Sequence, residues 1–301
     1  MLNATLLGTG GTIPLKNRWL SSCLISVNGH SVLVDCGEGT QIALKIAGHK
    51  FKPIDTICIT HFHADHISGL PGLLLTMGNE GRTEPVKIFG PVGLKNIVNA
   101  LCVIVPVLPF ALEVHELKER KEFHSDKLII TPFQAEHSVD CIGYSFYLPH
   151  DRKFEPDKAR NNQVPIKLWS TLQKGQTAEL DGTIYTPDMV LGAERRGIKL
   201  TYCTDSRPTE GIKAAAQKSD LFICEGMYDT DDKLPQAKEK GHMLFSEAAR
   251  LAKAAKAERL IFTHYSPSLD EPENGLENAR KIFPNTECGY DGQKIALSYR
   301  D

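Results

Sequence analysis

The 301-residue sequence lacks the features that mark several large classes of protein. Its most apolar stretch, Ile97–Leu112, is interrupted by Pro106 and Pro109, whereas a membrane-spanning helix needs roughly 18 uninterrupted apolar residues. Residues 1–10 contain no basic segment followed by a long apolar block and a small-residue cleavage site, so no secretory signal peptide is predicted. We therefore expect a cytoplasmic protein that does not enter a membrane.

Paired cysteines and a basic excess are also lacking. The eight cysteines are scattered singly, and no C-x-x-C pair is present. We expect buried free thiols in a reducing compartment rather than disulfides or a thiolate metal site. The formal net charge is only −2, so the excess of basic residues that often marks a dedicated nucleic-acid-binding protein is missing. The total charge does not decide the question, because acidic residues used as metal ligands would offset a local basic patch.

Short runs rich in β-branched residues recur along the chain and predict strands. These runs are Ser31–Asp35, Asp55–Thr60, Val86–Phe89, Lys127–Thr131, Tyr144–Leu148, Lys199–Thr204, Leu221–Glu225 and Arg259–Thr263. The spacing of apolar residues in Phe245–Ala257 predicts a helix. Strands mixed with helices, and no linker rich in Gly, Ser or Pro, predict one compact α/β domain over residues 1–301. The segment 149–196 stands apart, because it is polar and rich in Lys and Arg.

The strongest chemical signal is a loop that places three histidines and an aspartate within six positions. His61, His63, Asp65 and His66 directly follow an apolar strand that ends at Ile59. In an extended chain His61 and His63 point to the same side, and imidazole and carboxylate groups together suit a cation such as zinc. The alternative is a surface loop with solvated histidines, but ligands this dense directly after a strand favour a metal site.

Further ligands are predicted at other strand ends, because one short loop cannot fill the coordination shells of two metal ions. His137, Asp205 and His264 each follow a predicted strand. Each is weak alone, since a single histidine after a strand is more often a hydrogen-bonded structural residue. Their shared position, where open α/β sheets place their sites, strengthens the prediction. Five histidines lack that position and are interpreted as structural: His30, His49, His115, His124 and His150.

The order of these residues, with Asp35-Cys36-Gly37-Glu38 ahead of them, resembles the five motifs of the metallo-β-lactamase superfamily. The resemblance implies a four-layer αββα sandwich that binds two zinc ions per subunit, and manganese or iron would accept the same ligands. The implied ligand sets are His61, His63 and His137 for one ion, Asp65, His66 and His264 for the other, and a bridging Asp205. Asp35 would support the metal loop by hydrogen bonds.

Residues at the start of the chain resemble one family within this superfamily. Residues 7–14, followed by Lys16 and Arg18, look like the first motif of RNase Z, the endonuclease family that removes the 3′ trailer from precursor tRNA. The resemblance implies that Lys16 and Arg18 hold the RNA near the cut. Trp19 stands where that family usually has Asn. A dinucleotide-binding interpretation of the same stretch fails, because the third glycine of G-x-G-x-x-G is absent.

Two catalytic elements of RNase Z are only partly retained. The family's His-Glu-Ala-Thr segment corresponds to Cys224-Glu225-Gly226-Met227, and its His-Ser-Thr loop corresponds to His242-Met243-Leu244. Glu225 and His242 are the chemically active members, and the resemblance implies that they protonate the leaving group together. It also implies that Asp65 is both a metal ligand and the proton acceptor for the attacking water. Without the family context, structural roles for Glu225 and His242 would be equally reasonable.

The segment 149–196 corresponds in position to the tRNA-binding arm of RNase Z. Its basic residues suit contacts with phosphates, and they are Arg152, Lys153, Lys158, Arg160, Lys167, Lys174, Arg195 and Arg196. Phe154 and Trp169 are interleaved with them, and Val164–Trp169 replaces the family's usual Gly-Pro element. A solvated surface loop is the alternative. RNase Z enzymes are commonly homodimers, so the resemblance also implies a homodimer.

The sequence therefore predicts a metal-dependent endoribonuclease that hydrolyses a phosphodiester of precursor tRNA and leaves a 3′-hydroxyl on the tRNA. A small-molecule hydrolase of the same fold, such as a phosphodiesterase, thioesterase or lactonase, would use the same ligands but would not need the basic segment, Lys16 or Arg18. A non-catalytic RNA-binding protein would be expected to have lost metal ligands, and all seven are present here.

Overall fold

Two seven-stranded sheets carry the fold in the computed structural model, which describes residues 1–300. In spatial order the first sheet contains β16 (Lys294–Leu297), β1 (Leu2–Gly8), β2 (Ser22–Val27), β3 (His30–Val34), β4 (Ile54–Cys58), β5 (Val86–Gly90) and β6 (Leu112–Glu116). The second contains β15 (Thr286–Cys288), β14 (Leu260–Thr263), β13 (Leu221–Glu225), β12 (Arg195–Cys203), β9 (Cys141–His150), β8 (Leu128–Ala135) and β7 (Phe123–Ser125). Every predicted strand is present.

The two sheets repeat one pattern of strand directions. In the first, β1, β2 and β3 pair antiparallel, and β3 to β6 pair parallel. In the second, β7, β8 and β9 pair antiparallel, and β12 to β15 pair parallel. Strands β13 and β14 are buried along their whole length, as expected for parallel strands covered on both faces. The carboxyl ends of parallel strands share an edge, which is where loops can assemble a site.

Helices cover the outer faces of the sheets. The ten α-helices of residues 1–300 are α1 (Thr40–Ile46), α2 (Ala64–Ile67), α3 (Leu70–Asn79), α4 (Leu94–Leu101), α5 (Pro156–Asn161), α6 (Trp169–Gln173), α7 (Glu210–Ala215), α8 (Leu234–Lys240), α9 (Phe245–Ala254) and α10 (Leu276–Ile282). The helix predicted in Phe245–Ala257 is α9, which ends at Ala254. No helix among these residues is long and apolar enough to cross a membrane.

Apolar contacts and hydrogen bonds join the layers. One core cluster combines the first sheet with helices α1, α3 and α4, and another combines the second sheet with α7, α9 and α10. The sheets face each other, since the Tyr144 hydroxyl of β9 donates to the Ile59 carbonyl after β4 at 2.7 Å. The predicted helix–sheet–sheet–helix sandwich is confirmed. All eight cysteines are free and seven are buried, also as expected.

The described residues form two compact units. The first contains Met1–Leu148 and Ile198–Ser298, and the second contains Pro149–Gly197 with Tyr299 and Arg300. The second unit includes α5, α6 and a hairpin of β10 (Ala178–Leu180) and β11 (Thr183–Tyr185). It has a small core of its own, built from Ala159, Val164, Leu172, Val190 and Leu191. The predicted arm, 149–196, falls within this unit, and its role stays a prediction.

Candidate metal centre

The structure brings all seven predicted metal ligands together within the first unit. His61, His63, Asp65 and His66 lie in the loop after β4 and in α2. The second sheet contributes the others from three strand ends: His137 after β8, Asp205 after β12 and His264 after β14. Both sheets therefore supply ligands to one centre, which is largely shielded from solvent because His61, His66, Asp205 and His264 are buried.

The ligand atoms form two groups. Those of His61, His63, His137 and Asp205 lie within 4.8 Å of one another, and so do those of Asp65, His66 and His264. Ring nitrogens face each other directly, with 3.0 Å between His61 Nε2 and His63 Nδ1 and 3.1 Å between the Nε2 atoms of His66 and His264. Nitrogens this close together can share one divalent cation when their lone pairs are free.

Asp205 lies between the two groups. Its Oδ1 is 3.2 Å from His66 Nε2 and 3.1 Å from His264 Nε2. Its Oδ2 is 3.7 Å from His61 Nε2 and 3.8 Å from His137 Nε2. Oδ1 is buried without a hydrogen-bond donor, and a buried carboxylate oxygen is costly unless something compensates its charge. The donor set and this unpartnered oxygen fit a metal cofactor.

Asp35 supports the metal centre through hydrogen bonds to the loop that carries the first ligands. Its Oδ1 accepts the Thr60 backbone N–H at 2.8 Å, and its Oδ2 lies 2.7 Å from His66 Nδ1. These contacts fix the ring so that Nε2 faces the other ligands. The role of the Thr60 hydroxyl is not predicted from the sequence. It donates to Asp35 at 2.9 Å and lies 3.1 Å from His61 Nδ1. A threonine after a strand carries no distinctive signal, so only the structure assigns it.

Three residues of the centre have strained backbones. Asp35, Asp205 and His264 have φ angles of 58°, 42° and 57°. Side chains disfavour this left-handed region, and such residues persist where the surrounding structure holds them. Each follows a strand, so the turn out of the sheet aims its side chain back over the sheet edge.

The N-terminal loop closes one side of the centre. The Thr12 backbone N–H donates to Asp65 Oδ2 at 2.7 Å. Gly11 passes so close to His264 that a Cβ on it would lie 2.6 Å from the ring. No sequence pattern predicts this role of Gly11, because the contact joins residues more than 250 positions apart.

Known proteins with this arrangement of motifs align with this chain over nearly its whole length. A protein of Agathobacter rectalis named Ribonuclease Z is 52% identical over 300 residues, covering 99% of each chain. A Ribonuclease Z of Lachnoclostridium phytofermentans is also 52% identical, with 99% of each chain covered. The chain belongs to the ribonuclease Z family. The resemblance predicted from the motifs is thereby confirmed.

A solved structure and two family models also resemble this chain. The crystal structure of human tRNase Z, short form, is 25% identical with a TM-score of 0.71, covering 98% of this chain and 99% of that one. The model of the Beta-lactamase superfamily domain matches residues 189–265, and that described as Anti-Pycsar protein Apyc1 matches residues 2–172. The second match includes the first metal loop but ends before Asp205. The predicted metallo-β-lactamase fold is confirmed.

Lys16 and Arg18, the candidate RNA contacts of the family, differ in their surroundings. Lys16 is exposed in a tight turn closed by hydrogen bonds between Leu15 and Arg18. The Arg18 guanidinium donates to the carbonyls of Leu269 at 2.8 Å and Asp270 at 2.9 Å. Arg18 therefore joins two loops beside the centre, whereas Lys16 is free to extend into solvent.

Trp19, the departure from the family's usual Asn, has a packing role. Its indole ring lies over Gly39 at the start of α1, where a Cβ would come within 2.3 Å of the ring. Its backbone N–H donates to the Asp291 carboxylate at 2.5 Å, and Asp291 also accepts the Thr9 hydroxyl at 2.8 Å. The tryptophan thus anchors the N-terminal loop to the first sheet and its helices.

His242 lies beside the ligand groups, as the family motif predicts, with Glu225 behind it. Its Nδ1 is 3.2 Å from Glu225 Oε2, which leaves Nε2 as the free ring nitrogen. Its ring centroid is 5.1 Å from that of His137 and 5.5 Å from that of His264. Burial opposes protonation, but the charge and hydrogen bond of Glu225 outweigh it and raise the pKa of His242 to about 9. Glu225 therefore favours the protonated form of His242.

The basic residues of the second unit divide into internal and exposed ones. Arg152 donates to the Gly192 carbonyl at 2.6 Å, and Lys158 donates to the Leu191 carbonyl at 2.7 Å. The exposed set is Lys153, Arg160, Lys167, Lys174 and Arg196. The two aromatic residues interleaved with them, Phe154 and Trp169, pack against the small core, with 5.1 Å between their ring centroids.

Proposed function

We propose that this protein is an endoribonuclease that removes the 3′ trailer from precursor tRNA. Its membership of the ribonuclease Z family supports this function. The single observation that carries it is the Asp205 carboxylate between two groups of ligand atoms, with His242 and its partner Glu225 beside them. A hydrolytic centre and an acid for the leaving group are what cleavage of a phosphodiester requires.

We also propose that two zinc ions per subunit occupy the two ligand groups. One would be held by His61, His63 and His137, the other by Asp65, His66 and His264, with the Asp205 carboxylate shared. Manganese and iron accept the same donors. When bound, the metal supplies charge that lowers the pKa of the attacking water and polarises the scissile phosphate. The free thiols of the chain suit a cytoplasmic, reducing environment.

The side chains of the centre divide the proton transfers between them. The attacking water forms a new P–O bond while the bond from phosphorus to the 3′ oxygen of the tRNA breaks. The departing oxygen keeps the electron pair and takes a proton from His242 Nε2. The products are a tRNA with a 3′-hydroxyl and a trailer with a 5′-phosphate. Glu225 keeps His242 charged and oriented until the transfer.

Asp65 is placed to orient the attacking water. Burial opposes its ionisation, but hydrogen bonds and charges from His264 and His66 hold the pKa of Asp65 well below its usual range. A carboxylate of such low pKa is a weak base that stays ionised, so it releases to solvent any proton that it takes from the attacking water. In the proposed role as proton acceptor, Asp65 therefore transfers the proton onward and does not retain it.

RNA binding is assigned to the exposed basic side chains. Lys16 lies in the loop that contacts Asp65 through Thr12, so it can reach a phosphate near the cut. Lys167 and Lys174 are exposed on the second unit and suit contacts with phosphates of the substrate. Such contacts bind the backbone without reading its sequence, as expected for an enzyme that processes many different tRNAs.

We propose a homodimer formed through an apolar face of the first unit. Helices α1 and α3 are joined by a hydrogen bond from Thr76 to Gln41 at 2.7 Å. Large apolar side chains are exposed on these helices and on the segment after α4, namely Ile42, Ile46, Leu75, Val103, Ile104 and Val107. Exposed apolar patches mark interaction sites, and a second copy is the partner that a homodimeric family provides. Sedimentation at micromolar protein would give twice the monomer mass, and a strictly monomeric protein would contradict the proposal.

The function is tested with two tRNA precursors, one that encodes CCA and one that does not. Metal-loaded protein should cleave just after the discriminator base, and mapping of both ends should give a 3′-hydroxyl and a 5′-phosphate. Asp65→Ala should nearly abolish cleavage and leave tRNA affinity largely unchanged. Equal loss of cleavage and binding would contradict the role of Asp65. No cleavage of either RNA with both metals bound would favour a small-molecule phosphodiester or ester as substrate.

A further inference from the structure

The acid loop, Gly241–Leu244, is held by side chains from four other positions. His137 Nδ1 lies 3.1 Å from the first carbonyl of the loop. Glu225 accepts the backbone N–H of the third loop residue at 3.1 Å, and Glu247 accepts that of the fourth at 3.0 Å. Arg207 donates to the carbonyl of the second residue, which is His242 itself. His137 and Glu225 already have roles in the centre, whereas Arg207 has none.

Arg207 and Glu247 form a mostly buried ion pair. The guanidinium meets the carboxylate with two nitrogens, Nη1 at 3.0 Å from Oε2 and Nη2 against Oε1. The side chains are only 13% and 12% exposed, so solvent screens the pair weakly. Two parallel hydrogen bonds fix the guanidinium plane as well as its distance. Arg207 therefore holds both the carbonyl of His242 and the carboxylate that binds the end of the loop.

The backbone of Arg207 belongs to the ligand loops. Its N–H donates to the Glu136 carbonyl at 2.8 Å, next to His137. Arg207 also lies two residues after Asp205. The residue thus connects the segments that carry two candidate ligands to the segment that carries the acid.

The sequence of the acid loop explains why it needs an outside anchor. Helices prefer Ser, Thr, Asp or Asn at the N-cap, where a side-chain oxygen accepts a backbone N–H of the first turn. The N-cap of α9 is Leu244, and Met243 precedes it, so neither side chain offers that oxygen. Only Glu247 reaches back to the loop, and Arg207 is the group that fixes Glu247.

We propose that Arg207 is a positioning residue that aims His242 at the departing 3′ oxygen. It touches neither substrate nor reacting atoms and acts through the His242 carbonyl and Glu247. The inference rests on the proposed function, because it assumes that His242 donates the proton when the bond between phosphorus and the 3′ oxygen breaks. Loss of Arg207 should therefore impair the departure of a poor leaving group and spare that of a good one.

The test compares two precursor tRNAs under single-turnover conditions. One has the natural 3′ oxygen at the cut, and the other has sulphur there, which leaves as a thiolate and needs no proton. Arg207→Gln should slow cleavage of the oxygen substrate by about 10- to 100-fold, at or below the lower end of the about 100- to 10,000-fold that general acids contribute, because the acid is misplaced and not removed. It should slow the sulphur substrate less than about threefold, because the acid is not needed there. Equal losses on both substrates would overturn the proposal.

Three controls separate positioning from damage to the fold. Arg250→Gln removes an exposed arginine of α9, the helix that contains Glu247. Arg250 contacts Ser246 and not Glu247, so this variant should cleave both substrates like the wild type. Adding Arg207→Gln to His242→Ala should cause no further loss, and an independent further loss would refute the proposal. If Arg207→Gln does not fold, Glu247→Gln and Arg207→Lys break the same paired contact and should show the same selective loss. Failure of the wild type on the oxygen substrate would instead refute the proposed function.

Discussion

Gly11→Ala should disable the centre without unfolding the protein. The φ angle of Gly11 lies outside the left-handed region, so alanine fits its backbone, and space alone is at issue. The added Cβ would lie 2.6 Å from His264 Cε1 and 2.9 Å from both ring nitrogens. Ordinary contact begins at 3.4 Å, so the ring and the loop must separate by about 0.8 Å.

A displacement of this size is large for a ligand. Errors of about 1 Å in the position of catalytic groups can cost about 100-fold in rate, and we expect a loss of that order in tRNA cleavage. The metal held by Asp65, His66 and His264 should be bound more weakly than the other. Its occupancy is measured by elemental analysis after dialysis against a mild chelator, alongside single-turnover cleavage.

Gly211→Ala provides the matched control. A Cβ there would meet its nearest atoms at 3.6 and 3.7 Å, which is ordinary contact, and Gly211 lies in α7. Alanine is the better helix former by about 0.5–1 kcal/mol, so this variant should be at least as stable as the wild type and fully active. A Gly11→Ala protein with full metal content and cleavage within about threefold of wild type would refute the reasoning.

Three further changes probe the surroundings of the centre. Asp35→Asn should weaken metal affinity by about 10- to 100-fold, because it removes the charged partner of His66 Nδ1; competition with a coloured chelator measures this, and unchanged affinity would contradict it. Glu225→Gln should lower the pKa of His242, since the Glu225 charge raises it to about 9. The protonated acid is then lost at lower pH, so the alkaline decline of the cleavage rate should shift to lower pH. An unshifted decline would count against His242 as the acid. Replacing Lys167 and Lys174 together by Ala should weaken tRNA binding and reduce its salt dependence by about one counterion per lysine, as read from binding isotherms at several salt concentrations; an unchanged salt slope would place the RNA elsewhere.

The ligands could be predicted from the sequence because their signal is local. His61, His63, Asp65 and His66 lie within six positions, and His137, Asp205 and His264 each follow a run of β-branched residues. Strand identity and strand direction then place them at the same sheet edge. Asp35 and Glu225 also stand at strand ends, but their roles are predicted from the resemblance to the family's motifs and not from this local signal.

The supporting contacts could not be predicted, because they depend on distances between remote segments. Gly11 against His264 and Arg207 against Glu247 join parts of the chain that no periodicity relates. Arg18 shows the same limit, since its motif suggested an RNA contact and the structure adds hydrogen bonds to Leu269 and Asp270. A long polar side chain can satisfy a nearby carbonyl as readily as a phosphate, and the choice is made by packing.

Each ligand group draws on both sheets, and this has a consequence for how the protein matures. The first 148 residues contain His61, His63 and His137 but not Asp205, and the second group stays incomplete until His264 has been made. The first group is therefore complete in sequence by residue 205, but both groups are present only after His264, and each needs the two sheets packed together. A metal that binds only the docked state stabilises it, by about 2.7 kcal/mol per site at a free concentration 100 times Kd. A chain that ends before His264 lacks a ligand of the second group and would not gain that stabilisation there.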